Sequence, residues 1–214
     1  TMPASAYIYP VPYEWYTEYG VRKYGFHGTS HKYVNSKISE VLGRNDLKVI
    51  SCHLGNGGSI TAIDSGKVLD TSLGFTPNAG LMMGTRSGDI DESIIPYVIA
   101  KTGKTLAEVS NDLNKHSGFL GVSGVSSDSR DITEGIKNGN ERCILAEEIY
   151  ERRVVNYIAS YYALLNGVDV ICFAGGIGEN AIDVRANIIK KLSCFGIELD
   201  ENANDSRGEV QKIS

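Results

Sequence analysis

Lys48 to Ile63 read KVISCHLGNGGSITAI: an apolar run, a turn holding three glycines, then a second strand-like run. A chain that passes from strand into glycine and back into strand forms a hairpin whose tip exposes successive backbone N–H groups. Without a Cβ in the way those groups converge on an anion, and such a nest binds phosphate even where no helix follows. A second segment, DVICFAGGIGEN (169–180), also delivers an apolar strand into glycine, and here a helix is expected to follow over about 181–192. Gly178, Glu179 and Asn180 would then lie at a helix start, where free N–H groups and the helix dipole favour an anion or the polar edge of a ligand. In open α/β sheets ligands sit outside the carboxyl ends of strands, so the two turns are expected to face one another over one cleft. Two modes of phosphate recognition acting on one ligand point to a nucleotide. The same glycines also serve simply to end strands.

The rest of the 214 residues sets bounds on this reading. With 42% hydrophobic and 22% charged residues the chain is an ordinary globular one, and it reads as one compact unit. A net charge of −5, without a run of Lys or Arg, gives no footprint for nucleic acid or anionic lipid. Four cysteines, at 52, 143, 172 and 194, show no CxxC spacing, and Cys52 and Cys172 fall in apolar strands, so reduced thiols and a cytoplasmic location are expected. No stretch approaches the ~18 apolar residues of a membrane span, and the first residues lack a signal-peptide pattern.

Around the two turns, PYEWYTEYG (12–20) reads as a short helix, and GTSHKYVNSKISEVLG (28–43) as a longer one. In the latter Thr29 or Ser30 caps the start, Tyr33, Val34, Ile38, Val41 and Leu42 form an apolar stripe, and Gly43 ends it. GSITAIDSGKVLDTSL (58–73) reads as a hairpin turning at Asp64-Ser65-Gly66. Helices are expected over roughly 91–101, 105–115 and 140–165, with GFLGVSGVSSDSRD (118–131) as a loop and FGIELD (195–200) as a last strand. Strands alternating with helices, plus one hairpin, indicate an α/β or α+β layer structure.

Two familiar nucleotide motifs can be tested on the sequence. TGKT (102–105) imitates the end of a P-loop, but Val98 stands where the first glycine is required. GIGENA (176–181) fits G-x-G-x-x-A between strand and helix, with Asp200 downstream at an expected strand end. Only fourteen residues follow Asp200, too few for the further strands of a dinucleotide-binding domain. The cation candidates are His27, in a loop just before a helix, and Arg86, in the glycine-bounded stretch MGTRSGDID. His27 could instead hydrogen-bond the helix start, and Arg86 could pair with Asp89 or Asp91. His31 reads as a capping or packing residue, His53 as a group within reach of a phosphate, and His116 as structural.

YGFHGTSHKYV, CHLGNGGSITAI, TSLGFTPNAGLMMGTRSGDID, GVSSDSRD and FAGGIGEN, in this order and over nearly the entire chain, closely resemble the acetate kinase family. The resemblance implies the acetate and sugar kinase fold, a ribonuclease H-like α/β domain related to actin, with residues 1–214 as most of the C-terminal, nucleotide-binding domain. It implies reversible transfer of the ATP γ-phosphoryl group to acetate, giving acetyl phosphate and ADP with Mg²⁺, by a homodimer formed through this domain. By motif, His53, Leu54, Gly55, Asn56 and Gly57 would wrap the phosphates. Asp128, Ser129 and Arg130, with Gly176, Ile177, Gly178, Glu179 and Asn180, would hold the adenosine, which displaces the dinucleotide alternative. Ser129 stands where relatives often have a larger side chain. His27 and Arg86 would stabilise the transition state, a role that suits a loose phosphoryl group with charge spread over its oxygens.

The family's complete enzyme is about twice this length. Its acetate-binding arginine, an Asn-Ala-Gly-Ser strand near Mg²⁺, a catalytic aspartate and a metal-linked glutamate all belong to segments outside residues 1–214, so no metal ligand is assigned here. A propionate kinase shares these motifs, a butyrate kinase is more distant, and a short non-catalytic nucleotide-binding or dimerisation module is the alternative from another class.

Overall fold

The computed structural model describes residues 2–208 and 210–214. Its centre, among the described residues, is a four-stranded sheet of β1 (Lys48–Leu54), β2 (Gly58–Asp64), β3 (Lys67–Thr71) and β4 (Val170–Ala174), in the order β3-β2-β1-β4. β1 and β2 are antiparallel, as are β2 and β3; β1 and β4 run parallel, with Val49 opposite Val170 and His53 opposite Ala174. The turn between β2 and β3 falls at Ser65 and Gly66, both at positive φ (49° and 76°), the conformation a two-residue hairpin requires.

Alternation along the strands divides the core into two layers. Ile50, Cys52 and Leu54 of β1, with Ile60 and Ala62 of β2, pack against the long helix Glu141–Leu165 through Tyr150, Val154, Ile158 and Tyr161. That helix repeats its buried residues every three to four positions, from Cys143 and Ala146 to Tyr161 and Leu165. Val49 and Ile63 point the other way and meet Val34 and Ile38 of the helix Gly28–Leu42, with Val170, Cys172 and Ala174 of β4 packed alongside. β1 is covered on both faces, by the long helix on one and the 28–42 helix on the other.

Several expectations are corrected. The 28–42 helix buries His31, Val34 and Ile38, while Tyr33, Val41 and Leu42 are exposed. Neither Thr29 nor Ser30 caps it, because His27 occupies the cap position and makes no side-chain cap bond. The expected loop at 118–131 contains the helix Gly118–Ser123 and the start of another, Ser129–Lys137. FGIELD is not a strand: its start closes the 3-10 turn Ser193–Phe195, and Asp200 caps the short helix Glu201–Asn204 through the Ala203 amide. Among the described residues no helix is long and apolar enough to cross a membrane. TGKT joins two helices, with Gly103 ending one and Thr105 opening the next in a capping box.

β4 enters a helix at once, and the junction is tight. Gly175 has φ +78°, and a Cβ there would lie 2.7 Å from the Leu54 carbonyl oxygen at the end of β1. Gly175→Ala is therefore expected to cost roughly 1–3 kcal/mol through strain at the left-handed backbone and this contact. It should appear as a lower urea midpoint at unchanged slope. An unchanged midpoint would mean that the junction does not constrain the two strand ends.

Candidate functional site

The face of the sheet turned toward the 28–42 helix changes character along its length. At the far end it is apolar, with Val49 and Ile63 against Val34 and Ile38. Toward the carboxyl end of β1 the same face carries Ser51, His53 and Ser59, and the first turn of the helix answers with Ser30 and His31 after His27. Ser30 Oγ lies 2.8 Å from His53 Nδ1, His31 Nδ1 2.9 Å from Ser51 Oγ, His31 Nε2 2.7 Å from Ser59 Oγ, and His27 Nδ1 2.8 Å from the same Ser59 Oγ. The His27 and His53 rings lie 4.3 Å apart between centroids, tilted by 33°.

His27 reaches this place in the left-handed conformation, φ 59° and ψ 22°, which non-glycine residues rarely adopt and which is often seen where side-chain direction matters. Burial lowers its pKa first, and the nearby His53 and Arg86 lower it further. Burial also lowers the pKa of His53, partly offset by Glu179, and it pushes that of His31 down to about 4. The three imidazoles are therefore held toward their neutral forms.

Arg86 completes the group from the 84–88 loop. A Cβ on Gly57 would lie 3.3 Å from Arg86 Nη1 and 3.7 Å from His27 Nε2, so both side chains end over that glycine. Arg86 Nη1 contacts the Pro77 carbonyl oxygen at 3.4 Å and Met83 Sδ at 3.8 Å. Among the described residues it forms no salt bridge. Asp89 instead accepts from the Gly80 amide and from the Tyr157 hydroxyl, and Asp91 accepts from the Ser93 amide. The loop is fastened to the hairpin tip by the Gly84 amide, which donates to the Asn56 carbonyl at 3.0 Å. Side-chain volume is excluded there, since a Cβ on Gly84 would overlap Asn56 Oδ1 at 1.9 Å.

The two glycine turns do face each other. A Cβ on Gly55 would lie 3.8 Å from the Gly176 amide nitrogen, and Gly178 packs against Phe173 and Leu54. The second turn differs from the loop expected, because Gly175–Asn180 is itself a helical turn and Ala181 (φ −91°, ψ 83°) separates it from the helix Ile182–Lys191. The amides at the helix start thus belong to Gly175, Gly176 and Ile177, while Glu179 and Asn180 lie at the turn's end. The Asn180 side-chain amide donates to the Gly176 carbonyl. Leu54 and Ile177 turn their side chains into the core, so only their backbone is available to a ligand.

Asp128 caps the 129–137 helix, and its carboxylate receives Nε and Nη2 of Arg130, which together with the Arg130 amide hold its pKa down to about 2. The Arg130 side chain is 88% exposed, so the pair stands in solvent. The carbonyl of Ser127, just before Asp128, lies 2.9 Å from a Cβ placed on Gly84, the residue whose amide is bonded to Asn56. Among the described residues no cluster of three His, Cys, Asp or Glu is placed to hold a metal ion.

Sequence reasoning missed Ser51, Ser59 and Ser30 as partners of the histidines, and assigned His31 only to capping or packing. The usable signal was the alternation of Ser51 and His53 with Ile50, Cys52 and Leu54, which puts polar groups on one buried face. Arg185 was also missed. It is 4% exposed and donates to the Gly178 and Glu179 carbonyls and to Asn204, tying the second turn to the 201–204 segment. Its place beside Val184, Ile188 and Ile189 on the buried side of the 182–191 helix was readable in the spacing.

A short mixed sheet that brings two glycine turns to one edge, layered by helices on both faces, is a domain of the acetate and sugar kinase/actin-like ATPase fold. The crystal structure of Porphyromonas gingivalis acetate kinase matches 99% of this chain and 55% of its own, with a TM-score of 0.95 and 47% identity. A propionate kinase structure from Francisella tularensis matches 95% of this chain and 53% of its own, with a TM-score of 0.92 and 46% identity. The acetate kinase of Bacillus subtilis is 55% identical over the whole of this chain and 55% of its own length. The model of the acetokinase family matches residues 1–214, and the chain belongs to that family. It spans about half the length of the curated relatives it matches.

The buried His31 makes a pH prediction. Its folded-state pKa, about 4, lies below the ordinary 6.5, so folding favours the neutral ring. The associated stability is present above about pH 6.5 and is lost as the pH falls toward 4, a change on the order of 3 kcal/mol. The stability gap between wild type and His31→Gln, from denaturation curves, should therefore be wider at neutral pH than near pH 4.5. A gap that does not change with pH would contradict this.

Proposed function

We propose that this chain is the C-terminal, nucleotide-binding portion of a kinase that transfers the ATP γ-phosphoryl group reversibly to acetate, giving acetyl phosphate and ADP. The observation that carries the reading is the convergence of His27 Nε2 and Arg86 Nη1 over Gly57, at the tip of a glycine turn. In transfer toward acetyl phosphate an acetate oxygen bonds to the γ-phosphorus as the bond to the β-phosphate oxygen breaks. The electron pair leaves with ADP, and no proton need move.

In a loose transition state negative charge spreads over the three equatorial oxygens, where fixed donors act most strongly. Arg86 supplies a cation that no carboxylate among the described residues neutralises, and His27 supplies an N–H. His53 and the backbone of Leu54, Gly55, Asn56 and Gly57 are assigned to the phosphates. Gly176, Ile177, Gly178, Glu179 and Asn180, with Asp128, Ser129 and Arg130, are assigned to the adenosine. Arg130 would have to leave or share Asp128 to border the base. Mg²⁺ is the metal this chemistry uses in the family reading, where it neutralises phosphate charge. Its side-chain ligands are assigned to the remainder of the complete protein. The same reading carries a homodimer through this domain and a cytoplasmic location. The likeness to a propionate kinase structure keeps propionate as an alternative acceptor.

In the complete protein, Arg86→Ala and His27→Ala are each expected to lower kcat by roughly 100-fold or more with smaller changes in KM, the pattern of donors used mainly in the transition state. Steady-state kinetics of acetyl phosphate formation decide this. Normal turnover in either variant removes that residue from the chemistry.

A further inference from the structure

Ser51, His31 and Ser59, at 0, 3 and 0% exposure, lie behind His27 in series. Ser51 Oγ meets His31 Nδ1 at 2.9 Å, His31 Nε2 meets Ser59 Oγ at 2.7 Å, and Ser59 Oγ meets His27 Nδ1 at 2.8 Å. Each hydroxyl carries one hydrogen and two acceptor sites, and each neutral imidazole carries one N–H. Either the three bonds all run one way, or Ser59 accepts from both rings and its own buried hydrogen is left with no acceptor among the described residues. If they run inward, His27 donates from Nδ1 to Ser59, Ser59 donates to His31 Nε2, and His31 donates from Nδ1 to Ser51. The Ser51 hydrogen is then left without an acceptor at a fully buried position. Among the described residues His31 Nδ1 is the one hydrogen-bond partner of the Ser51 hydroxyl.

If they run outward, Ser51 donates to His31 Nδ1, His31 Nε2–H donates to Ser59, and Ser59 donates to His27 Nδ1. Every buried hydrogen is then used, and the remaining N–H is on His27 Nε2, the nitrogen that lies beside Gly57 and Arg86. Burial of an unsatisfied donor is costly, so the outward direction prevails.

We infer that Ser51, His31 and Ser59 form a one-way hydrogen-bond chain that holds His27 as its Nε2–H tautomer, with that N–H directed to the space shared with Arg86. The three are positioning residues; they act through His27. An imidazole locked the other way would present a lone pair where a negatively charged oxygen is to be held. The side-chain partner of a histidine nitrogen commonly sets which tautomer is used. The catalytic consequence rests on the proposed role of His27 toward the phosphoryl group, but the tautomer does not.

The test is selective ¹⁵N labelling of histidine in the complete protein without nucleotide or acetate, with ring signals assigned by His27→Gln and His31→Gln. Both His27 and His31 are expected to show an N–H shift at Nε2 and a bare acceptor shift at Nδ1. An N–H at Nδ1 of either ring, or exchange of His27 between tautomers, overturns the inference. Ser59→Ala should release His27 into a mixture of tautomers and lower kcat about 10-fold, near the net worth of one hydrogen bond, with little change in KM for ATP. Unchanged His27 ring shifts in that variant also overturn it. Should Ser59→Ala fail to fold, the wild-type spectrum decides alone. Nε2–H rings in a protein whose His27→Ala variant keeps full turnover would support the chain while removing the phosphoryl role. Nδ1–H rings in a protein that needs His27 would do the reverse.

Discussion

The parallel pairing of β1 and β4, closed by Gly175 against the Leu54 carbonyl, is the constraint on which the rest of this domain depends. Two strands that end side by side must send their chains apart within one or two residues, and glycine permits the turn and the contact together. Gly55 and Gly176 then stand close enough for their amides to line one surface. Hydrogen bonds from Arg185 hold the second turn from behind, and the Gly84–Asn56 bond holds the first from the side. The carboxyl end of β1 and the start of the second turn are therefore packed backbone on backbone.

On that edge the chemistry follows from a gradient along a single face. A strand with period two and a helix with period 3.6 meet over Val49, Val34 and Ile38 in a dry contact. Toward the carboxyl end of β1 they meet over Ser51, Ser59, Ser30 and His31 in a hydrogen-bonded one. The apolar half supplies adhesion, and the polar half supplies direction. His27, at the very start of the helix, takes its orientation from both.

β1 and the β2–β3 hairpin were legible as short apolar runs bounded by turn residues, and the long helix as buried residues recurring every three to four positions. FGIELD alternates Phe195, Ile197 and Leu199 with Gly196, Glu198 and Asp200 as a strand would, but no strand among the described residues pairs with it, and alternation over six residues does not supply a partner. GIGEN reads as a loop in the sequence, yet Ile177 in the core and the close seat of Gly178 on Phe173 hold it in a helical turn. Within the candidate site, the glycines were legible from turn chemistry, while His27 and Arg86 were assigned through the family resemblance alone. The serine partners were not legible, since Ser51 and Ser59 come within reach of His31 only when the β1–β2 register and the helix docking are known. Arg130 shows the limit from another side, for its close pairing with Asp128 is a local bond that spacing two residues apart allows but does not require.

The central claim is spatial: one adenine nucleotide lies across both turns, its phosphates on the tip at 55–57 and its adenosine against 176–180 and 128–130. A crystal structure of the complete protein with ADP tests it most directly. The account predicts phosphate oxygens within hydrogen-bond reach of the tip amides and the base beside the second turn. ADP seated elsewhere on this domain, or a bound state in which the two turns diverge, would contradict it.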